Sequence, residues 1–176
     1  MIKTLYILFA IIIFGISPSL LFAETRQLES HEHGVSKLQI SIEGNIIQYE
    51  LEAPANDIVG FENSPKNEKQ KESINKAINL FKSTDGLFTT SSNANCRSSK
   101  IDVEFKVEGT HAGFHAKWNS KCKKISELKK LTTMFFQIFP KAEELEVQII
   151  SDKGQSAIEW ENDIKTITLP KIHEKY

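Results

Sequence analysis

Leu38-Gln39-Ile40-Ser41-Ile42-Glu43-Gly44-Asn45-Ile46-Ile47-Gln48-Tyr49-Glu50-Leu51 is the stretch that decides the fold class. Leu38, Ile40 and Ile42 alternate with polar residues, and Ile47, Tyr49 and Leu51 resume the alternation after Gly44-Asn45. Successive side chains of a strand point to opposite faces, so each run presents one apolar face. A Gly-Asn pair between two such runs predicts a tight β-hairpin. Pro54 ends the second strand, because it has no N–H to give to a ladder.

The same pattern recurs twice. Ile101, Val103, Phe105 and Val107 alternate, Gly109 to Gly113 reads as turn, and Phe114, Ala116 and Trp118 alternate again. This predicts a central hairpin with its apolar face on those seven residues. Leu145, Val147 and Ile149 lead to a turn at Asp152-Lys153-Gly154, with Ile158 and Trp160 on the return strand and a short strand within Ile164 to Leu169. Between the first two hairpins, residues 56–62 read as a loop. Ser64-Pro65 then predicts a helix start, and Ile74, Ala77, Ile78 and Phe81 form its apolar stripe up to Asp85-Gly86. Ser126 predicts the cap of a second helix. Its stripe runs through Ile125, Leu128, Leu131, Phe135 and Ile138, widened by Met134, Phe136 and Phe139 and stopped by Pro140. One-faced alternation and tight turns predict an α+β class: a largely antiparallel sheet built from three hairpins, with two helices packed on one face.

The N-terminal residues follow another logic. Lys3 is the first charge, Leu5 to Ile16 is almost unbroken hydrocarbon, Ser17-Pro18-Ser19 interrupts it, and Leu21-Phe22-Ala23 offers a small residue for cleavage. This is the pattern of a signal peptide over residues 1–23, leaving a single domain over residues 24–176. The alternative is an uncleaved anchor, for which the apolar run before Ser17 is short of the roughly 20 residues a span needs. Cleavage predicts an exported protein with no stable membrane insertion. The whole chain has 176 residues, 22 Lys+Arg and 23 Asp+Glu, for a net charge of -1, which excludes the basic excess of a nucleic-acid binder. The two cysteines, Cys96 and Cys122, are an even count in an exported chain and read as a disulfide. The register of the central hairpin places them near each other at its open end. A two-Cys metal site is the alternative, although the spacing matches no zinc-finger pattern.

Histidines are the chemically pointed feature. His31 and His33 flank Glu32 just before the first strand, and His111 and His115 flank the central turn. Imidazole is the commonest side-chain ligand for divalent transition metals. Residues two apart in an extended segment share a side, so His31 and His33 can meet one ion. His111 and His115 would stand roughly 13 Å apart in a straight strand. Each pair therefore contributes toward a common patch, or His115 joins His31 and His33. Water or a carboxylate such as Glu32 or Asp57 would complete the shell. The bland alternative is a polar chain start and an exposed strand residue, and for His173 in the tail the bland reading prevails. No Gly-x-Ser-x-Gly elbow and no Gly-rich phosphate loop is present, so no enzyme is expected.

A wider pattern joins these pieces. His31-Glu32-His33-Gly34-Val35-Ser36-Lys37-Leu38 and Glu52-Ala53-Pro54-Ala55-Asn56-Asp57-Ile58-Val59-Gly60-Phe61-Glu62 resemble the opening and the most recognisable loop of the ZrgA-like periplasmic zinc-uptake proteins. The resemblance continues through His111-Ala112-Gly113-Phe114-His115-Ala116-Lys117-Trp118 up to Cys122, then Phe139-Pro140, Glu144-Leu145-Glu146 and Gly154-Gln155. It implies a zinc-binding protein that assists zinc acquisition or delivery to an importer of the inner membrane, with His31, His33, His111 and His115 as metal positions. Two departures imply a lower ion capacity. Glu104 to Thr110 contains no His where such proteins often carry a His/Asp/Glu-rich tract, and Asn63 stands where a His is frequent. Imidazole donors also suit other divalent transition metals. The reading from another class is a non-metal envelope module that binds a protein partner.

Overall fold

The computed structural model describes residues 33–83 and 87–170. Strands β1 (Val35–Glu43) and β2 (Ile46–Pro54) form the first hairpin, followed by the short helix α1 (Ala55–Val59) and the helix α2 (Glu68–Ser83). Next come β3 (Phe88–Thr90), β4 (Cys96–Ser98), β5 (Asp102–Glu108) and β6 (His111–Cys122). After them lie β7 (Lys130–Thr133), the one-turn helix α3 (Phe135–Ile138), β8 (Glu144–Ser151), β9 (Gly154–Glu161) and β10 (Thr166–Thr168). Seven strands form one sheet in the order β4-β6-β2-β1-β8-β9, with β5 continuing β4's edge along β6. Strands β10-β7-β3 form a second, small sheet. No helix among the described residues is long and apolar enough to cross a membrane.

All three expected hairpins are present. Glu43 faces Ile46 across Gly44-Asn45, Glu108 faces His111, and Ser151 faces Gly154. The central turn is tighter than residues 109–113, because Gly109 and Thr110 alone make it and His111 already belongs to β6. The large sheet is antiparallel at every joint except one: β1 runs parallel to β8, with Lys37 beside Glu146. That joint fuses the first and third hairpins into one surface. The expected alternation fills the core with Leu38, Ile40, Ile47, Leu51, Phe114, Ala116, Leu145 and Val147, each 1% exposed or less. Val107 is an exception at 43%, because the hairpin tip projects beyond the layer that covers the sheet.

That covering layer corrects the expectation of two helices packed on one face. α2 is present, and its Phe81 stacks on Phe114 and Phe139. It starts at Glu68, not at Ser64-Pro65. Asn67 Oδ1 accepts the N–H of Gln70 (3.0 Å), and Gln70 Oε1 accepts the N–H of Lys66, a reciprocal cap that outcompetes Pro65. The expected stop at Asp85-Gly86 falls outside the described residues. The expected helix over residues 126–139 is replaced by a 3-10 turn (Ile125–Glu127), β7 and α3. Leu131 and Thr133 are buried while Lys130 is exposed, a period of two rather than 3.6. The β-branched pair Thr132-Thr133 favours the extended form. Thr133 Oγ1 donates to the carbonyl of Leu87 (3.0 Å) and accepts the N–H of Phe135 (2.9 Å), ending the strand and starting α3. Met134, expected in the apolar stripe, is exposed. The small sheet therefore takes the second helix's place, with Phe88 of β3 stacking on Trp118.

The open end of the central hairpin is stapled. Cys96 and Cys122 are direct cross-strand partners and are disulfide-bonded. Beside the bridge, the Tyr49 hydroxyl bonds the side chain of Ser120, which in turn meets Ser98 Oγ at 2.8 Å. Tyr49 also stacks on its cross-strand partner Trp118, with ring centres 4.7 Å apart. These contacts tie β2, β6 and β4 together.

Candidate metal centre

The other end of β6 gathers the histidines that fall within the described residues. Pro54 faces Gly113 at the end of the β2–β6 ladder, so whatever follows β2 lies beside the start of β6. Residues 56–62, expected to be loop, start instead inside the short helix α1. Gly60 stops it at φ +85°, donating its N–H to the carbonyl of Asn56 (2.9 Å). A left-handed residue is cheap only for glycine, and this one turns the chain so that Phe61-Glu62 passes over the rim.

His33 is positioned by its neighbour Gly34. Gly34, at φ +86°, donates its N–H to Asp57 Oδ2 (2.9 Å), and its carbonyl accepts the N–H groups of Glu143 (2.8 Å) and Glu144 (2.9 Å). Three hydrogen bonds thus fix the backbone from which the His33 ring projects. Asp57 is buried, and burial raises its carboxyl pKa, offset in part by the Gly34 N–H and by His33. Asp57 is therefore the buried strut of the rim, with one oxygen already engaged.

Glu62 joins the histidines. Its Oε1 meets His33 Nε2, and its Oε2 faces His111 Nδ1 at 3.9 Å. One carboxylate therefore addresses two imidazoles that are 78 residues apart in the chain. All three groups are partly open to solvent, with side-chain exposures of 59% for His33, 45% for His111 and 33% for Glu62. Glu62 stands between the rings. Among the described residues, no three His, Cys, Asp or Glu side chains are arranged to enclose an ion as they stand. His31 and Glu32 lie outside the described residues, immediately before His33.

His115 has a different setting. It shares β6's outer face with His111, four residues on, and its Nδ1 lies 3.6 Å from Glu52 Oε1 on the neighbouring strand. Glu104 of β5 is its cross-strand partner on the other side. Burial lowers its pKa, against the pull of these carboxylates, so its ring is neutral at pH 7. The structure thus brings His111, not His115, to His33. The residue that sequence reasoning passed over is Glu62. Its one signal was an acid at the end of the Asn56-to-Glu62 loop, and its place beside the histidines becomes visible only once β2 and β6 are paired.

A family model described as ZrgA family zinc uptake protein matches residues 30–169 of the chain. No curated protein sequence matches it.

Proposed function

The chain belongs to the ZrgA family of zinc uptake proteins, and from that premise we propose that it is an exported, non-enzymatic accessory that binds Zn²⁺ at the rim of its sheet and passes the ion to an importer of the inner membrane. The observation that carries this reading is the Glu62 carboxylate shared between His33 and His111. Two imidazoles and a carboxylate supply zinc donors of the right types, and zinc normally takes four. His31, two residues before His33 in the sequence, is the donor we assign to the fourth position. Glu62 then changes from a partner of the two rings to a ligand beside them. Nitrogen donors favour a transition metal over magnesium or calcium, which prefer all-oxygen shells. The exposure of the rings leaves the ion reachable by a competing acceptor, which suits cargo rather than a structural ion.

Export rests on the Lys3-to-Ala23 pattern, and the mass of the protein from the periplasmic fraction tests it. A chain that retains residues 1–23 would replace the free periplasmic protein with an anchored one. The site is tested by zinc calorimetry on the wild type and on His33→Ala, His111→Ala, Glu62→Gln and His115→Ala. Losing a support of a metal ligand costs 10–100-fold in affinity, and losing a ligand costs no less. The first three variants should each weaken zinc at least tenfold, while His115→Ala stays within about threefold. Zinc binding that survives both His33→Ala and His111→Ala would refute the placement.

A further inference from the structure

The end of the large sheet opposite the histidines carries a concentration of positive charge that the zinc reading does not use. Lys121 lies ten residues along β6 from His111, about 33 Å away. The turn at residues 91–95 hangs four more lysines on its own backbone and side chain. Ser91 Oγ accepts the N–H groups of Lys129 (3.0 Å) and Lys130 (2.9 Å), and the carbonyls of Ala94 and Asn95 accept those of Lys124 (3.0 Å) and Lys123 (3.2 Å). Arg97 stands directly opposite Lys121, held there by the neighbouring Cys96–Cys122 bridge. All six cations are exposed.

Like charges placed directly across a ladder are destabilising. Elsewhere along β6 the outer face pairs opposite charges: Lys117 reaches Glu50 at 2.5 Å, and Asp102 faces Lys117 from β5. At this end, among the described residues, no carboxylate lies within ion-pair distance of Arg97, Lys121, Lys123, Lys124 or Lys130, while Glu127 engages Lys129 at 3.3 Å. Glu43 is the other acid nearby, one cross-strand step from Ile46. Ile46 itself is 40% exposed, in the same row as Lys121 and Arg97.

We propose that this basic end docks on an anionic phospholipid surface, with Ile46 entering the headgroup layer. The composition favours a lipid surface over a protein. Five lysines and one arginine make up the six cations, whereas protein interfaces are enriched in arginine and aromatic residues and depleted of lysine. A lysine-rich end with one exposed aliphatic side chain in the row of Lys121 and Arg97 matches the electrostatic and apolar terms of membrane-surface binding. Docked this way, the histidine rim faces away from the lipid.

The test is co-sedimentation of the purified protein with phosphatidylglycerol/phosphatidylcholine vesicles and with pure phosphatidylcholine vesicles. The latter subtract any binding carried by the apolar residues 5–16. Each cation near the surface contributes about a fivefold factor in partitioning, so Arg97→Gln/Lys121→Gln/Lys123→Gln/Lys124→Gln should lose several hundredfold. A matched variant on α2, Lys69→Gln/Lys71→Gln/Lys76→Gln/Lys82→Gln, carries the same change in net charge and should bind nearly as the wild type. Binding should also collapse at 0.5 M salt, on the order of a few Å of screening length. Equal loss in the two variants would overturn the proposal by making net charge the cause. Absence of binding to the anionic vesicles at low salt would overturn it too, and binding of a polyglutamate peptide in its place would transfer the surface to an acidic polypeptide.

Discussion

Replacing Cys96 and Cys122 together by alanine should lower stability strongly and leave zinc binding intact. The bridge spans 26 residues of sequence. In the chain-entropy account, closing a loop of that length removes unfolded-state freedom worth about 3.5 kcal/mol at 25 °C. The native state keeps its local ties without the bridge, because Cys122 N–H still reaches the carbonyl of Asn45 (2.9 Å) and Lys124 N–H that of Ala94 (3.0 Å). The loss is therefore expressed as a more favourable unfolded state. For a folded unit of roughly 140 residues the unfolding entropy is about 0.3 kcal/mol/K, so the melting point should fall by about 12 °C. Calorimetric melting of the wild type, the double variant and the wild type with a reductant measures this. The histidine rim sits at the far end of β6, so zinc affinity at 25 °C should match the wild type within experimental error. A fall of less than about 3 °C would refute the loop-closure reasoning, and loss of zinc binding by a variant still folded at 25 °C would refute the separation of the two ends.

Other changes bear on the rim. Asp57→Asn keeps an oxygen for the Gly34 N–H and removes a buried charge. Burial raises the Asp57 pKa above its unfolded value, so the folded state holds the proton longer, and the contribution of this group to stability falls as pH rises through that window. The variant should accordingly gain melting temperature over the wild type at pH 7 and lose that advantage toward pH 3.5, and an equal difference at both values would contradict this. His115 has its pKa lowered by burial, so protonation costs stability as pH falls below about 6.5; His115→Gln should flatten the melting-point profile between pH 7 and pH 5. Gly34→Ala places a Cβ 3.3 Å from three side-chain atoms of Glu143 at φ +86°. It should cost about 1–2 kcal/mol, some 3–7 °C, and weaken zinc by displacing His33, and unchanged zinc affinity would show that His33 does not depend on that backbone. Phe81→Ala empties a fully buried position between Phe114 and Phe139 and should cost about 3–5 kcal/mol by urea titration.

Local pattern was enough to read the three hairpins, and non-local pairing was not. Alternation around Gly44-Asn45 names both strands and the turn, because every determinant lies within the fourteen residues from Leu38 to Leu51. The parallel joint of β1 to β8 has no local signal: Lys37 and Glu146 become neighbours only after the whole intervening chain has packed. The failed helix over residues 126–139 shows the opposite problem, a local signal open to two readings. Leu128, Leu131, Phe135 and Ile138 fit a helical stripe, yet Thr133, with a side chain able to bond Leu87 and Phe135, turns the segment into a strand and a single turn. For the rim, residue type was sufficient to single out the histidines. Which of His111 and His115 meets His33 depended on how far β6 extends beyond the turn, and that is decided by a ladder register rather than by spacing.

The rim's construction bears on how an ion would be released. His33 precedes β1, Glu62 follows α1, and His111 begins β6, so the three donors come from three separate chain segments that meet only in the folded domain. A zinc ion bound there would link those segments and stabilise the fold by mass action, about 2.7 kcal/mol when free zinc is 100-fold above its dissociation constant. Yet each donor can let go alone. Glu62 meets the His33 ring and faces the His111 ring at 3.9 Å, so the carboxylate would not be left without a partner when an ion leaves. The cost of emptying the site would thereby be reduced on the protein's side, while the buried Asp57 strut would keep Gly34 and the His33 backbone in place for the next ion. A closed site of four buried ligands would bind more tightly and give up the ion only with local unfolding. On the proposed reading, an exposed rim with an internal carboxylate partner exchanges affinity for the capacity to hand its cargo on.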